Sequence, residues 1–141
     1  MTVIVAVIIT TILTTAAGFH IYWGCGGQRG WRVAVPEKID GTPLLVPSAG
    51  ATIMVAIILL GILVGMGVYV MQINLPIPRQ WLRIGMGMLS LVFLARGLSW
   101  HSYFGLFKKV KATAFGRNDT LFYSPACIAV GIGFFALAWE G

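Results

Sequence analysis

Hydrophobic positions run in four long blocks, roughly Thr2–Trp23, Ala49–Met71, Trp81–Trp100 and Leu121–Trp139, separated by three polar connectors. A helix of about 20 apolar residues crosses a bilayer core of about 30 Å. In lipid such a segment must satisfy its own backbone N–H and C=O groups, and a helix does so. The pattern therefore predicts an all-α integral membrane four-helix bundle with short loops, one transmembrane domain over residues 1–141. The second block contains no charged residue. The first block has no Lys or Arg before Gln28 and exceeds the length of a usual signal-peptide core, so it reads as a retained helix.

The connectors give the bundle its orientation. The first, Cys25–Ser48, is broken by Gly and by Pro36, Pro43 and Pro47 and should be irregular. The second, INLPIPRQ, reads as a tight turn between antiparallel neighbours. The third is polar. Trp23, Trp81, Trp100 and Trp139 stand at block ends, where indoles favour the membrane–water boundary. Connectors one and three share a side and carry Arg29, Arg32, Lys38, Lys108, Lys109, Lys111 and Arg117; the other side has Arg79 and Arg83. The positive-inside rule then places those connectors in the cytoplasm and both termini on the non-cytoplasmic side.

Composition agrees. Charged residues make up 10% of the chain, against about 25% in soluble domains. The net charge of +6 sits in short loops beside spans. That points to anionic lipid headgroups as partners of Lys108, Lys109, Lys111 and Arg117, not to nucleic acid. Cys25 and Cys127 are too few for a disulfide scaffold or a four-thiolate metal site, and on a cytoplasmic face they should be reduced thiols. Gly61 and Gly65 form a small-xxx-small pattern that lets helices approach closely.

Candidate chemistry concentrates between Arg96 and Pro125, which holds five of the ten Lys and Arg residues. Topology brings the ends of the first and third helices and the start of the fourth to one face. His20, Tyr22, Trp23 and Cys25 should therefore join Arg96, Asp119, Tyr123, Ser124 and Cys127 in one polar cluster at the cytoplasmic boundary. Arg96 lies one turn before Trp100, about 6 Å inside the boundary. Two fates are open to it: snorkelling to headgroups, or pairing with Asp119. Asp119 has an alternative role as N-cap of the fourth helix, shared with Asn118; Ser124-Pro125 offers a second start, leaving Pro125 otherwise as a kink.

His20 and His101 share a depth and form a weak candidate pair for a metal or haem, but no spacing motif supports them. The chain has no C-x-x-C, H-E-x-x-H, P-loop or G-x-S-x-G, and Gly24, Gly26 and Gly27 read as a helix-terminating turn. No cofactor is expected, with haem or quinone as the alternative.

The strings HIYWGCGG (His20–Gly27), GLFKK (Gly105–Lys109) and FGRNDTLFYSPAC (Phe115–Cys127), with Arg96 near the third helix end, resemble a bacterial membrane family. It is the domain-of-unknown-function family 3995, small four-span proteins with a His-x-Tyr-Trp…Gly-Gly element and an Asp…Tyr-Ser-Pro element. Ala126 and His101 depart from that pattern. The resemblance implies a fold and no reaction. The leading expectation is an accessory or structural subunit of a larger membrane complex, in contact with other subunits. The alternative is a lipid-, quinone- or haem-binding protein or enzyme, with Arg96 holding an anionic or carbonyl group and His20 or Tyr123 handling a proton. Transport ranks last, since no span has a carboxylate at its middle.

Overall fold

A computed structural model describes residues 1–140. The described residues form six α-helices in chain order: α1 (Thr2–Gly24), α2 (Trp31–Ala34), α3 (Ala49–Val70), α4 (Arg79–Gly97), α5 (Ala114–Asn118) and α6 (Ser124–Glu140). A π-helical turn, Asp119–Tyr123, joins α5 to α6 without a break. The described residues contain no strand; a single antiparallel bridge, Glu37 to Pro43, closes a small hairpin in the first connector. Among the described residues three stretches are long and apolar enough to cross a membrane: α1, α3 and the continuous helix Ala114–Glu140. The fourth long helix, α4, carries Arg79, Arg83 and Arg96 and is not among them.

Local chemistry sets the ends. Ser48 caps α3, its Oγ accepting the Ala51 N–H at 3.2 Å. The α1 helix stops in a Schellman turn: Gly27 N–H donates to Tyr22 O and Gly26 N–H to Trp23 O, with Gly26 at φ +93°. The same pair of bonds closes α3 at Gln72, which stands at φ +55°: Ile73 N–H donates to Val68 O and Gln72 N–H to Tyr69 O.

Two boundaries differ from expectation. The helix α4 ends at Gly97 and not at Trp100, because the chain turns back on it: Leu106 N–H donates to Gly97 O at 2.8 Å and Phe107 N–H to Ser99 O at 3.3 Å. Arg96 thus lies in the last turn of α4, and Trp100 stands off the helix, stacked on Phe107 at 5.0 Å. The last helical stretch begins at Ala114, with Thr113 as its cap. Asn118 and Asp119 are therefore helix interior and cap nothing.

The helices pack α4 on α6, α1 on α3, and α1 on α6, with a lighter contact of α3 on α4. The core draws Ile9 and Leu13 from α1, Met66 and Tyr69 from α3, Met86 from α4, and Val130, Phe134 and Leu137 from α6. Tyr69 Oη, buried there, donates to Leu137 O at 3.1 Å. The two chain ends meet through Thr2 Oγ1 and Glu140 Oε2 at 2.5 Å.

Close helix approach depends on glycines other than the expected pair. A Cβ at Gly131 would stand 2.7 Å from Leu94 Cγ, one at Gly97 2.6 Å from Ile128 Cγ1, and one at Gly133 2.9 Å from Ile9 Cδ1. Gly61 and Gly65 have nothing within 4 Å of such a carbon, so they do not pack helices within this chain. They lie on a side of α3 that no other helix of the chain covers. Around them Ile57, Ile58, Leu60 and Val64 are exposed, as are Val3, Ile4 and Val7 on α1.

Candidate functional site

The π turn builds the centre of the site. Pro125 has no N–H to give, and the Ser124 N–H before it reaches back five residues to Asp119 O. That turn buries Asp119 completely between α4 and the third connector. Its Oδ1 accepts Arg96 Nη2 at 2.8 Å. Its Oδ2 accepts three donors: Gly105 N–H at 2.9 Å, Lys108 Nζ at 3.0 Å and Ser124 Oγ at 3.1 Å. Of the two fates open to Arg96, pairing is the one observed.

Lys108 overturns its sequence reading as a headgroup contact. Its side chain is 0% exposed, as is that of Asp119. Its three ammonium protons have three acceptors: Thr120 Oγ1 at 2.7 Å, Asp119 Oδ2 at 3.0 Å and Gly105 O at 3.2 Å. A buried ammonium is tolerable only when paired and fully hydrogen-bonded, and Asp119 supplies the pairing. Lys109, Lys111 and Arg117 are exposed, as expected of basic residues at a polar face.

Gly105 makes this geometry possible. It sits at φ +94°, gives its N–H to Asp119 and its carbonyl to Lys108, and any Cβ would overlap the Ser99 carbonyl. Gly116 is similarly pressed, with a Cβ position 2.8 Å from Val110 O. Gly105 and Thr120 were not identified from sequence as site residues, and Lys108 only as a headgroup contact. The one available hint was that Gly105 and Lys108 open and nearly close the GLFKK string.

Arg96 leaves one loose end. Its side chain is 33% exposed, yet Nη1 is buried and has no partner. The guanidinium lies 5.1 Å from the centre of the Phe104 ring, on which His101 stacks at 4.1 Å.

The His20–Cys25 wall forms a network of its own. His20 Nδ1 donates to Ala16 O at 2.7 Å, within α1. Trp23 Nε1 donates to Arg29 O at 2.8 Å, and its indole packs on Phe19, His20 and Trp31. The Tyr22 ring fills the space over Gly27, and its Oη accepts the Arg29 N–H at 3.4 Å. Among the described residues no hydrogen bond, ion pair or ring contact joins His20, Tyr22 or Trp23 to Arg96, Asp119, Tyr123 or Ser124. The single expected cluster is two clusters, and the connectors meet instead through α2 and α5. The cause is local: α1 ends in a turn that folds the next residues back over Tyr22 and Trp23, using up their polar atoms.

The remaining candidates are dispersed. Tyr123 packs at a tilt near Phe115, 6.0 Å between ring centres. His101 is exposed, with Nδ1 accepting the Tyr103 N–H at 3.3 Å. Cys25 is exposed and Cys127 half-buried, and both are free thiols. Among the described residues no group of three or more His, Cys, Asp or Glu side chains is gathered to hold a metal. In the first-connector hairpin, the Thr42 hydroxyl and N–H both donate to Asp40 Oδ1, at 2.6 and 2.9 Å. These bonds, the hydroxyl's first, hold the Asp40 carboxyl below its ordinary value.

No curated protein and no solved structure matches the chain. A family model described as "Protein of unknown function (DUF3995)" matches residues 13–134. That span runs from the middle of α1 into α6 and includes both polar networks. With most of its length covered by that model, the chain belongs to the DUF3995 family.

Proposed function

We propose that this protein is a four-span bundle of the bacterial cytoplasmic membrane that serves as a non-catalytic accessory or structural subunit of a larger membrane complex. The observation that carries this reading is the saturation of Asp119. All four of its close donors come from the chain itself, and Lys108 is equally occupied. The most buried ionisable groups are thus committed to tying the third connector onto α4 and the π turn, which leaves neither of them available to move a proton. The uncovered face of α3 around Gly61 and Gly65 is where a partner helix can approach closely.

A fourth span is supported by α4 itself. Between Arg83 and Arg96 it is uncharged, and it turns Ile84, Met88, Leu91 and Val92 outward. Its 19 residues extend about 28 Å. Orientation rests on the seven-to-two distribution of basic residues and on the meeting of Thr2 with Glu140, which suits termini on one side. The native Cys25 tests it. In a Cys127→Ala background, a membrane-impermeant thiol reagent should label Cys25 only after the cells are permeabilised. Labelling in intact cells would reverse the orientation. The subunit role is tested by isolation from native membranes in mild detergent: a stoichiometric membrane partner is expected, and a monodisperse monomer counts against it.

One observation favours a second reading, a lipid-, quinone- or haem-binding protein. Arg96 Nη1 is a buried donor without an acceptor, a situation that costs about 1–3 kcal/mol. A ligand carbonyl or anionic oxygen would relieve it. A visible absorbance band, or a small molecule retained by the wild type and lost in Arg96→Gln, would favour this reading over the first.

A further inference from the structure

A cleft of about 560 Å³ opens between the hairpin of connector one and the end of connector three. Ile39, Val110, Ala112 and Ala114 make its apolar lining, and Glu37, Lys109 and Lys111 supply its charges. None of these three has an ionic partner within the chain, because the ion pairs among the described residues are both to Asp119. The lining therefore offers two cations and one anion that no other residue neutralises.

The hairpin that forms one lip is firmly made. Lys38 N–H donates to Thr42 O, Leu44 N–H to Pro36 O, and Gly41 stands at φ +79°. Yet it holds Ile39 85% exposed at its tip, and Leu45 and Val46, just beyond, are 68% and 67% exposed. Apolar side chains presented this openly beside basic ones suit the boundary between headgroups and acyl chains, not bulk water.

We propose that this cleft seats the headgroup of an aminophospholipid, a phosphate and a primary ammonium on one glycerolipid. Lys109 and Lys111 meet the phosphate, and Glu37 accepts from the ammonium. The glycerol and the first acyl carbons lie on Ile39 and Val110. The charge pattern selects among headgroups. A primary ammonium has three N–H donors for Glu37; a choline group has none. A glycerol headgroup leaves the carboxylate facing hydroxyls. The proposal rests on the membrane reading above and adds a lipid to it.

The test is native mass spectrometry of the full chain in mild detergent, offered phosphatidylethanolamine, phosphatidylglycerol or phosphatidylcholine in turn. Phosphatidylethanolamine should be retained about threefold better than either of the others, as suits ion pairs that remain partly hydrated. Glu37→Gln should abolish that preference while leaving overall lipid retention intact. Lys109→Gln with Lys111→Gln should lower retention of both ethanolamine and glycerol lipids. Arg83→Gln, in α4 and outside the cleft lining, should leave the preference unchanged. Equal retention of the three lipids, or a preference that survives in Glu37→Gln, overturns the headgroup site and leaves the membrane reading standing. A chain that stays monodisperse without detergent and retains no lipid overturns both.

Discussion

The helix pairs α4–α6 and α1–α3 are both close-packed, yet they are held by different physics. Between α4 and α6 the contact is locked twice. Gly97 and Gly131 bring the backbones onto Ile128 and Leu94, and at one end Arg96 of α4 meets the Asp119 carboxylate in the turn leading into α6. Between α1 and α3 no charged side chain takes part. Ala17 and Ala56 are buried on the two helices, Thr52 turns its hydroxyl back to Ser48 O, and Gly24 admits Ile53. The first pair has one geometry that satisfies its buried charges. The second is specified by shape alone, and much of its outer surface is left uncovered.

The largest expected effect comes from breaking the charged lock. Asp119→Asn leaves Lys108 buried without a counter-charge and should cost about 3–5 kcal/mol. It should be read as a large fall in the midpoint of thermal unfolding in detergent. Double-mutant cycles sharpen the point. Coupling of Asp119 to Lys108 should exceed its coupling to Arg96, because Lys108 is fully enclosed whereas Arg96 is one-third exposed and can turn toward headgroups. Equal couplings would mean that burial is not what gives the pair its strength. Next in size is Gly105→Ala, which forces a Cβ into the Ser99 carbonyl at a left-handed φ. A loss of about 1–3 kcal/mol is expected, together with faster proteolysis of connector three. A protease pattern unchanged from wild type would show that the connector is held without the Gly105 turn.

The long-range pattern of hydrophobic blocks was enough to expect four helices and the side on which the polar groups gather. Pairing of Arg96 with Asp119 was legible as one of two fates, because each is a rare charge beside an apolar block, and such charges seek partners. Lys108 was not visible. In sequence it is one of two adjacent lysines, and nothing in Lys108-Lys109 says which will turn inward. That choice follows from the loop path set by Gly105, whose left-handed φ is a property of the folded chain. The π turn was hidden for a similar reason. Pro125 signalled an irregularity, but an inserted residue and a kink look alike in sequence. The separation of the His20 wall from the Asp119 wall was the subtlest failure. Shared depth at a boundary does not imply contact, and the Schellman turn after α1 captures Tyr22 and Trp23 before they can reach the other wall.

The smallest effects on folding should come from the open face of α3, and there the comparison becomes a functional test. Substituting Gly131 by Val places a branched side chain 2.7 Å from Leu94 Cγ, and overpacking of that kind should cost about 1–3 kcal/mol. Gly61→Val and Gly65→Val meet nothing within 4 Å. In the isolated chain the change should stay within about 0.5 kcal/mol, as for surface sites generally. If α3 packs on a partner helix in the native membrane, the same two substitutions should still sharply reduce recovery of that partner, because the close backbone approach is lost. Both readouts come from one preparation: unfolding midpoint of the purified chain, and partner stoichiometry after mild extraction. An unchanged midpoint with a lost partner assigns the glycines to an interface. A partner recovered in full with either variant would leave them as lipid-facing positions and return the search for a binding surface to the α4–α6 side.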